Sequence, residues 1–208
     1  MIGLLAYANR SLMFWYMLGI FGYFIYKIIS SKDKGKYVLF ATAYITGAEV
    51  FLRMTKAFIF YETGKYAIMF FSILGIFFLG FKKNAFPYVV YILLLLPAIL
   101  ISIDVISFDA NFRNMILFNF SGPLCLTFAA IFCFGRTLDL KDFLTVLDYI
   151  IYPLITMIVY ITLYTPNIQD VVTGTASNSE MSGGYGPNQV ATILGLGVFI
   201  LFTRLLIP

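Results

Sequence analysis

The sequence predicts an all-α fold, a polytopic transmembrane helix bundle with about seven membrane-spanning helices, on three observations. The 208 residues are 61% hydrophobic and only 12% charged, whereas soluble domains run nearer half apolar and a quarter charged. Mean hydropathy is +0.92. A soluble sphere of this length could not hide so much apolar surface, so the implied solvent is lipid. Finally, the apolar stretches are long and continuous, unlike the short alternating strands of a β-barrel.

Seven runs are long enough to cross about 30 Å of hydrocarbon. They are Ser11–Ile29, Tyr37–Phe60, Tyr66–Phe81, Ala85–Ile103, Met115–Phe134, Phe143–Tyr164 and Pro187–Ile207. No soluble domain fits between them and no internal repeat shows, so residues 1–208 read as a single transmembrane region. The first run lacks a small-residue cleavage site and reads as a helix that stays in place.

The connections set the orientation. Lys27, Lys32, Lys34 and Lys36 accompany the first, Lys82 and Lys83 the third, and Arg136 and Lys141 the fifth. The positive-inside rule puts these in the cytoplasm and leaves the N-terminus, the Asp109 loop and a Gly-rich loop at 165–187 outside. Arg53, Lys56 and Lys65 beside an external connection dilute the contrast. A net charge of +4 and a pI near 9.0 therefore reflect membrane topology, and no nucleic-acid partner is implied.

Other features are read plainly. The chain has no histidine, which removes the commonest general base and the commonest metal ligand. No catalytic residue, metal ligand or cofactor is assigned. Cys125 and Cys133, eight apart in one run, share a helix face and read as small apolar side chains with no bridge. Trp15, Tyr16, Tyr37, Tyr61, Tyr66, Tyr88 and Tyr164 fall at expected interfaces and suit aromatic belts, with an aromatic substrate path as the alternative.

Charges inside the runs are more informative, because ionisable groups in a membrane usually face a partner or a wet cavity. Glu49 and Arg53 are four apart, so they lie one turn apart on one helix face in the favourable order. Either they form a structural ion pair with Arg53 reaching toward the headgroups, or Arg53 holds an anionic substrate group. Asp104, Asp109 and Arg113 read as solvated loop-end charges. Asp148 reads as an acid near a helix N-terminus, if the sixth helix starts later than its apolar run.

One stretch stands apart: "SGGYGPNQVATILGLG", Ser182 to Gly197. It lacks the Gly-Lys-Ser/Thr of a phosphate loop and fails the dinucleotide pattern. Pro187 suits the first turn of a helix, which would turn Asn188, Gln189 and free backbone donors toward the outer face at a positive helix end. Such a terminus could seat a pyrophosphate or sugar hydroxyl, or could be an ordinary helix start behind a flexible loop.

These residues resemble the Gly-x-x-Gly-x-Pro-Asn-Gln motif that opens the core region of the O-antigen ligase and O-antigen polymerase family. "GPNQV" followed by "ILGLG" is most similar to ligase-like proteins of Bacteroidetes-type bacteria, and "EVFLRMT" with "FYETGKY" resembles their second-helix region. The resemblance implies a multi-pass glycosyltransferase of the bacterial inner membrane that uses no metal or nucleotide sugar. Its partners would be an undecaprenyl pyrophosphate-linked glycan, lipid A–core or a second carrier-linked glycan as acceptor, and membrane lipids. The expected substrate-binding residues are Arg53, Glu49, Gly184, Gly186, Pro187, Asn188 and Gln189. The family's essential Arg and His lie in an external loop beyond this motif, so the chain is expected to be an N-terminal half, inactive alone. A transporter or flippase with a helix broken at Gly186–Pro187, or a non-catalytic membrane scaffold, are the alternatives.

Overall fold

The computed structural model describes residues 1–105, 112–165 and 179–207. Asp109 and most of the expected 165–187 loop lie outside them, as do the side chains of Asp104 and Arg113. The described residues form α1 (Ile2–Ala8), α2 (Leu12–Ser30), α3 (Lys34–Met54), α4 (Thr63–Leu79), α5 (Phe86–Val105), α6 (Phe112–Cys133), α7 (Leu140–Tyr164) and α8 (Pro187–Leu206). Single 3-10 turns lie at Lys83–Ala85 and Glu180–Ser182, and no strand occurs among the described residues.

Three of these helices, α2, α7 and α8, are long and apolar enough to cross a membrane. The apolar segments described in α4, α5 and α6 are shorter, and α3 carries Glu49 and Arg53. That last helix is the most enclosed: it packs against α7 and α4 most extensively, and also against α2 and α8. Its charged pair therefore sits in a helix that neighbouring helices cover on several sides.

Lipid offers no hydrophobic drive between helices, so association depends on close contact and small interfacial residues. Gly47 on α3 shows this: a Cβ there would overlap the Ile150 carbonyl oxygen and stand 2.9 Å from Pro153 Cγ. Gly75 of α4 leaves room for the Phe132 ring, whose edge an added Cβ would overlap. Large side chains such as Phe51, Phe71, Met157 and Tyr160 fill the spaces between these approaches.

Two expectations are corrected. The second run does not continue as helix to Phe60, because the helix stops at Met54. Lys56 takes a left-handed conformation with φ 55, Lys56 N–H bonds the Arg53 carbonyl at 3.0 Å, and Ala57 N–H bonds that of Leu52 at 2.8 Å. This double closure satisfies the last carbonyls and turns the chain away. The sixth run begins earlier than drawn, at Leu140. Asp148 thus lies beyond the first turn and pairs with Arg204 of α8 at 3.4 Å, while Asp142 occupies the first turn. In addition, a short helix not expected from the sequence, α1, precedes the first run and packs on α7, with Gly3 against the Thr156 carbonyl.

The side-chain contacts sort the connections onto two ends. At one end Lys36 pairs with Asp142 at 2.7 Å, Lys82 Nζ donates to the Gly135 carbonyl, and Arg204 meets Asp148. This end gathers the lysine-rich connections. At the other, Arg10 lies over Tyr164 and Arg53 reaches Tyr185. There the helices α3, α7 and α8 present the glycine-rich turn.

Candidate functional site

The site begins with the way α3 ends. Because the helix stops at Met54, Arg53 lies in its last turn, where a cation meets the negative end of the helix dipole. The turn beyond Met54 brings Tyr61 back under the guanidinium, with Arg53 Cζ 4.2 Å from the ring centroid. Glu49, one turn earlier, makes an ion pair with Arg53 Nη2. The carboxylate has room because Gly64 of α4 faces it: a Cβ there would stand 2.9 Å from Glu49 Cγ.

The glycine-rich turn supplies the opposite wall. Gly183 and Gly184 have φ of +70 and +76, a region that side-chain-bearing residues rarely adopt. Their positions also leave no space, since a Cβ on Gly184 would lie 2.9 Å from the Tyr164 hydroxyl and one on Gly183 3.3 Å from Met54 Sδ. The turn is closed by Gly184 N–H to the Ser179 carbonyl at 2.8 Å and by Ser182 Oγ, 2.6 Å from the Tyr185 carbonyl. It delivers Tyr185 to Arg53, whose Nη1 donates to the phenolic oxygen at 3.2 Å.

Gly186 caps α8 and Pro187 opens it as the first helical residue. The Gln189 carboxamide folds back against Gly186. Pro187 needs no hydrogen-bond acceptor, so the first free donors of the helix are the backbone N–H groups of Asn188 and Gln189.

Between these walls lies a cavity of about 350 Å³ lined by Glu49, Val50, Arg53, Tyr185, Asn188, Gln189, Thr192, Ile193 and Leu196. Of the residues expected to bind substrate, Glu49, Arg53, Asn188 and Gln189 meet in it. Gly184, Gly186 and Pro187 do not line it; they shape the backbone that presents Tyr185 and the α8 terminus. Tyr185 and Thr192 are members that sequence reasoning missed. Tyr185 lies inside the Ser182–Gly197 stretch, but nothing in the spacing ties it to Arg53.

The electrostatics of the site centre on Arg53. Arg53 has three distinct engagements: Glu49, Tyr185 and the Tyr61 face. Its Nε is buried and has no hydrogen-bond partner among the described residues. A buried donor of this kind is costly to leave unmade. Burial pushes the Tyr185 phenol above its ordinary pKa, with the Arg53 hydrogen bond acting against that rise, so the phenol is a neutral donor or acceptor near pH 7. Glu49, the carboxylate among the described lining residues, is paired with Arg53. Among the described residues no cluster of three or more His, Cys, Asp or Glu could hold a metal ion.

Comparison with protein-family models, curated proteins and solved structures finds no match for the chain, so its function is inferred from the residues and their geometry.

Proposed function

We propose that the chain belongs to an integral membrane glycosyltransferase. It crosses a bacterial inner membrane about seven times and handles a glycan carried on undecaprenyl pyrophosphate. The acceptor would be lipid A–core in a ligase, or another carrier-linked repeat in a polymerase. The cavity between α3 and the start of α8 receives the carrier's diphosphate.

One observation supports this reading most: Arg53, Tyr185, Asn188 and Gln189 converge on a single cavity at a helix N-terminus. Cationic, phenolic and amide donors together suit an anion that also carries hydroxyls. The resemblance of Ser182–Gly197 to the opening of a glycan ligase or polymerase core gives that anion its class. A transporter with a helix broken at Gly186–Pro187 is less well supported, because these residues stand at the start of α8 behind the glycine-rich turn and not within a helix.

Binding of undecaprenyl pyrophosphate to the purified chain in detergent micelles tests the proposal. Arg53→Ala and Asn188→Ala should each weaken binding about tenfold, the loss of one charge-assisted or polar contact. The same substitutions should lower glycan transfer in cells while membrane levels hold. Binding by both variants equal to that of the parent would remove this assignment.

A further inference from the structure

The opposite end of the bundle holds a second cavity, of about 300 Å³, unrelated to the Arg53 site. Its walls come from the start of α3, the end of α4 and the turn between α6 and α7. Lys36, Lys82 and Arg136 line it, against a single acid, Asp33, with Leu39 and Leu79 as apolar neighbours.

The three cations are not equivalent. Lys36 is matched by Asp142 at 2.7 Å and Asp33 at 3.3 Å. Lys82 and Arg136 have no acidic partner among the described residues. Lys82 Nζ donates to the Gly135 carbonyl, and Arg136 Nε donates to that of Phe132, with its guanidinium 4.5 Å from the Phe132 ring centroid. Those contacts hold both stems in place while leaving the two Arg136 Nη groups and the remaining Lys82 protons unengaged among the described residues. The turn brings the pair together: Gly135 has φ +61, and a Cβ there would stand 3.2 Å from Lys82 Nζ. A preset pair of cations without carboxylates, in a cavity of small-ligand size, is built for an anion.

The surface beside the cavity selects the kind of anion. Phe77, Phe78, Leu79 and Phe81 at the end of α4 are exposed, Phe77 by 80%. In a membrane that surface faces acyl chains, and the helix end beside it lies at headgroup level. A ligand with a phosphate head and hydrocarbon tails satisfies both halves. Basic pockets between helices at a membrane surface recognise anionic headgroups in this way.

We infer that the cavity between α3, the end of α4 and the α6–α7 turn binds the phosphodiester headgroup of an anionic phospholipid, held by Lys82 and Arg136. The inference requires that the bundle sits in a bilayer, and does not depend on the glycan reading of the Arg53 site.

Equilibrium binding of labelled phosphatidylglycerol to the full chain in neutral detergent micelles tests it, with phosphatidylcholine and inorganic phosphate as competitors. Phosphatidylglycerol should bind in preference to phosphatidylcholine, and inorganic phosphate should compete poorly. Each of Lys82→Ala and Arg136→Ala should weaken binding about fivefold and the pair about 30-fold, from roughly one kcal/mol per surface cation. The charge-keeping pair Lys82→Arg with Arg136→Lys should retain most of it, which separates charge from misfolding. Lys65→Ala, at the other end, should leave it unchanged. Equal binding of the two lipids, or parental binding by the double alanine variant, would overturn the site. Full competition by inorganic phosphate would overturn the lipid as its ligand.

Discussion

Arg53 on α3 and Tyr185 in the glycine-rich turn lie 132 residues apart and are joined by a 3.2 Å hydrogen bond from guanidinium to phenol. The bond ties the end of the most enclosed helix to the start of α8. A hydrogen bond involving a charged group contributes about 1.5–3 kcal/mol. A double-mutant cycle of Arg53→Met with Tyr185→Phe should therefore show a coupling of about 1–2 kcal/mol in unfolding from micelles. Arg53→Met alone should cost about 3 kcal/mol, because it strands the Glu49 carboxylate without its cation. Strictly additive losses would mean that the Arg53–Tyr185 bond contributes nothing.

The α3 stop rests on a lysine in a conformation that favours glycine. Lys56, at φ 55, closes the two hydrogen bonds that end the helix. A left-handed residue with a Cβ costs roughly 1–2 kcal/mol relative to glycine, and glycine loses part of that advantage to its greater freedom when unfolded. Lys56→Gly should thus raise stability by about 0.5–1 kcal/mol, read as a higher melting temperature. A Lys56→Pro chain should melt lower, since proline cannot adopt a positive φ and has no N–H to give the Arg53 carbonyl.

The parts of this site that were legible in the sequence are the local ones. Glu49 and Arg53 were legible because four-residue spacing alone puts them on one helix face, and Asn188 and Gln189 because Pro187 marks a first turn. Tyr185 and Tyr61 were not, because their rings reach Arg53 only after two separate turns fold back. The end at Met54 was hidden as well: "AFIFY" stays apolar past the helix, and the stop is made by neither glycine nor proline. Asp148 reads as a helix-start acid only because Leu140–Asp142 mixes polar with apolar residues, so the apolar run starts a turn after the helix does. At 2–8, α1 is too short to register as a span, and only its packing on α7 defines it.

The glycines divide into those that permit close approach and those that do not. Gly47→Ala would drive a methyl group against the Ile150 carbonyl oxygen, backbone that cannot swing aside. A shift between α3 and α7 would result, costing about 1–3 kcal/mol. Gly19 and Gly22 of α2 have nothing within 4 Å of an added Cβ. Gly19→Ala and Gly22→Ala should leave stability unchanged or raise it by up to about 1 kcal/mol, through helix propensity. Thermal melts and folded yield in micelles for the three variants check this. If Gly47→Ala behaves like Gly19→Ala, the α3–α7 contact is not the tight one described.

At the basic end, Lys36 gives a pH dependence with a definite sign. It lies just outside the apolar segment that begins at Tyr37, and its ammonium meets Asp142 first and Asp33 second. Both partners raise its pKa above the ordinary lysine value. A group held above its unfolded pKa contributes stability that is complete below the unfolded value and disappears as pH rises through the folded one. The contribution is therefore constant from neutral pH up to the ordinary lysine range, and fades only in strong alkali. Because the ammonium is exposed, salt should weaken it. Unfolding of the parent and of Lys36→Met should differ at neutral pH and low salt, then converge as the pH passes above that range. A difference that stays constant through strong alkali would show that Lys36 acts through its hydrocarbon stem and not through its charge.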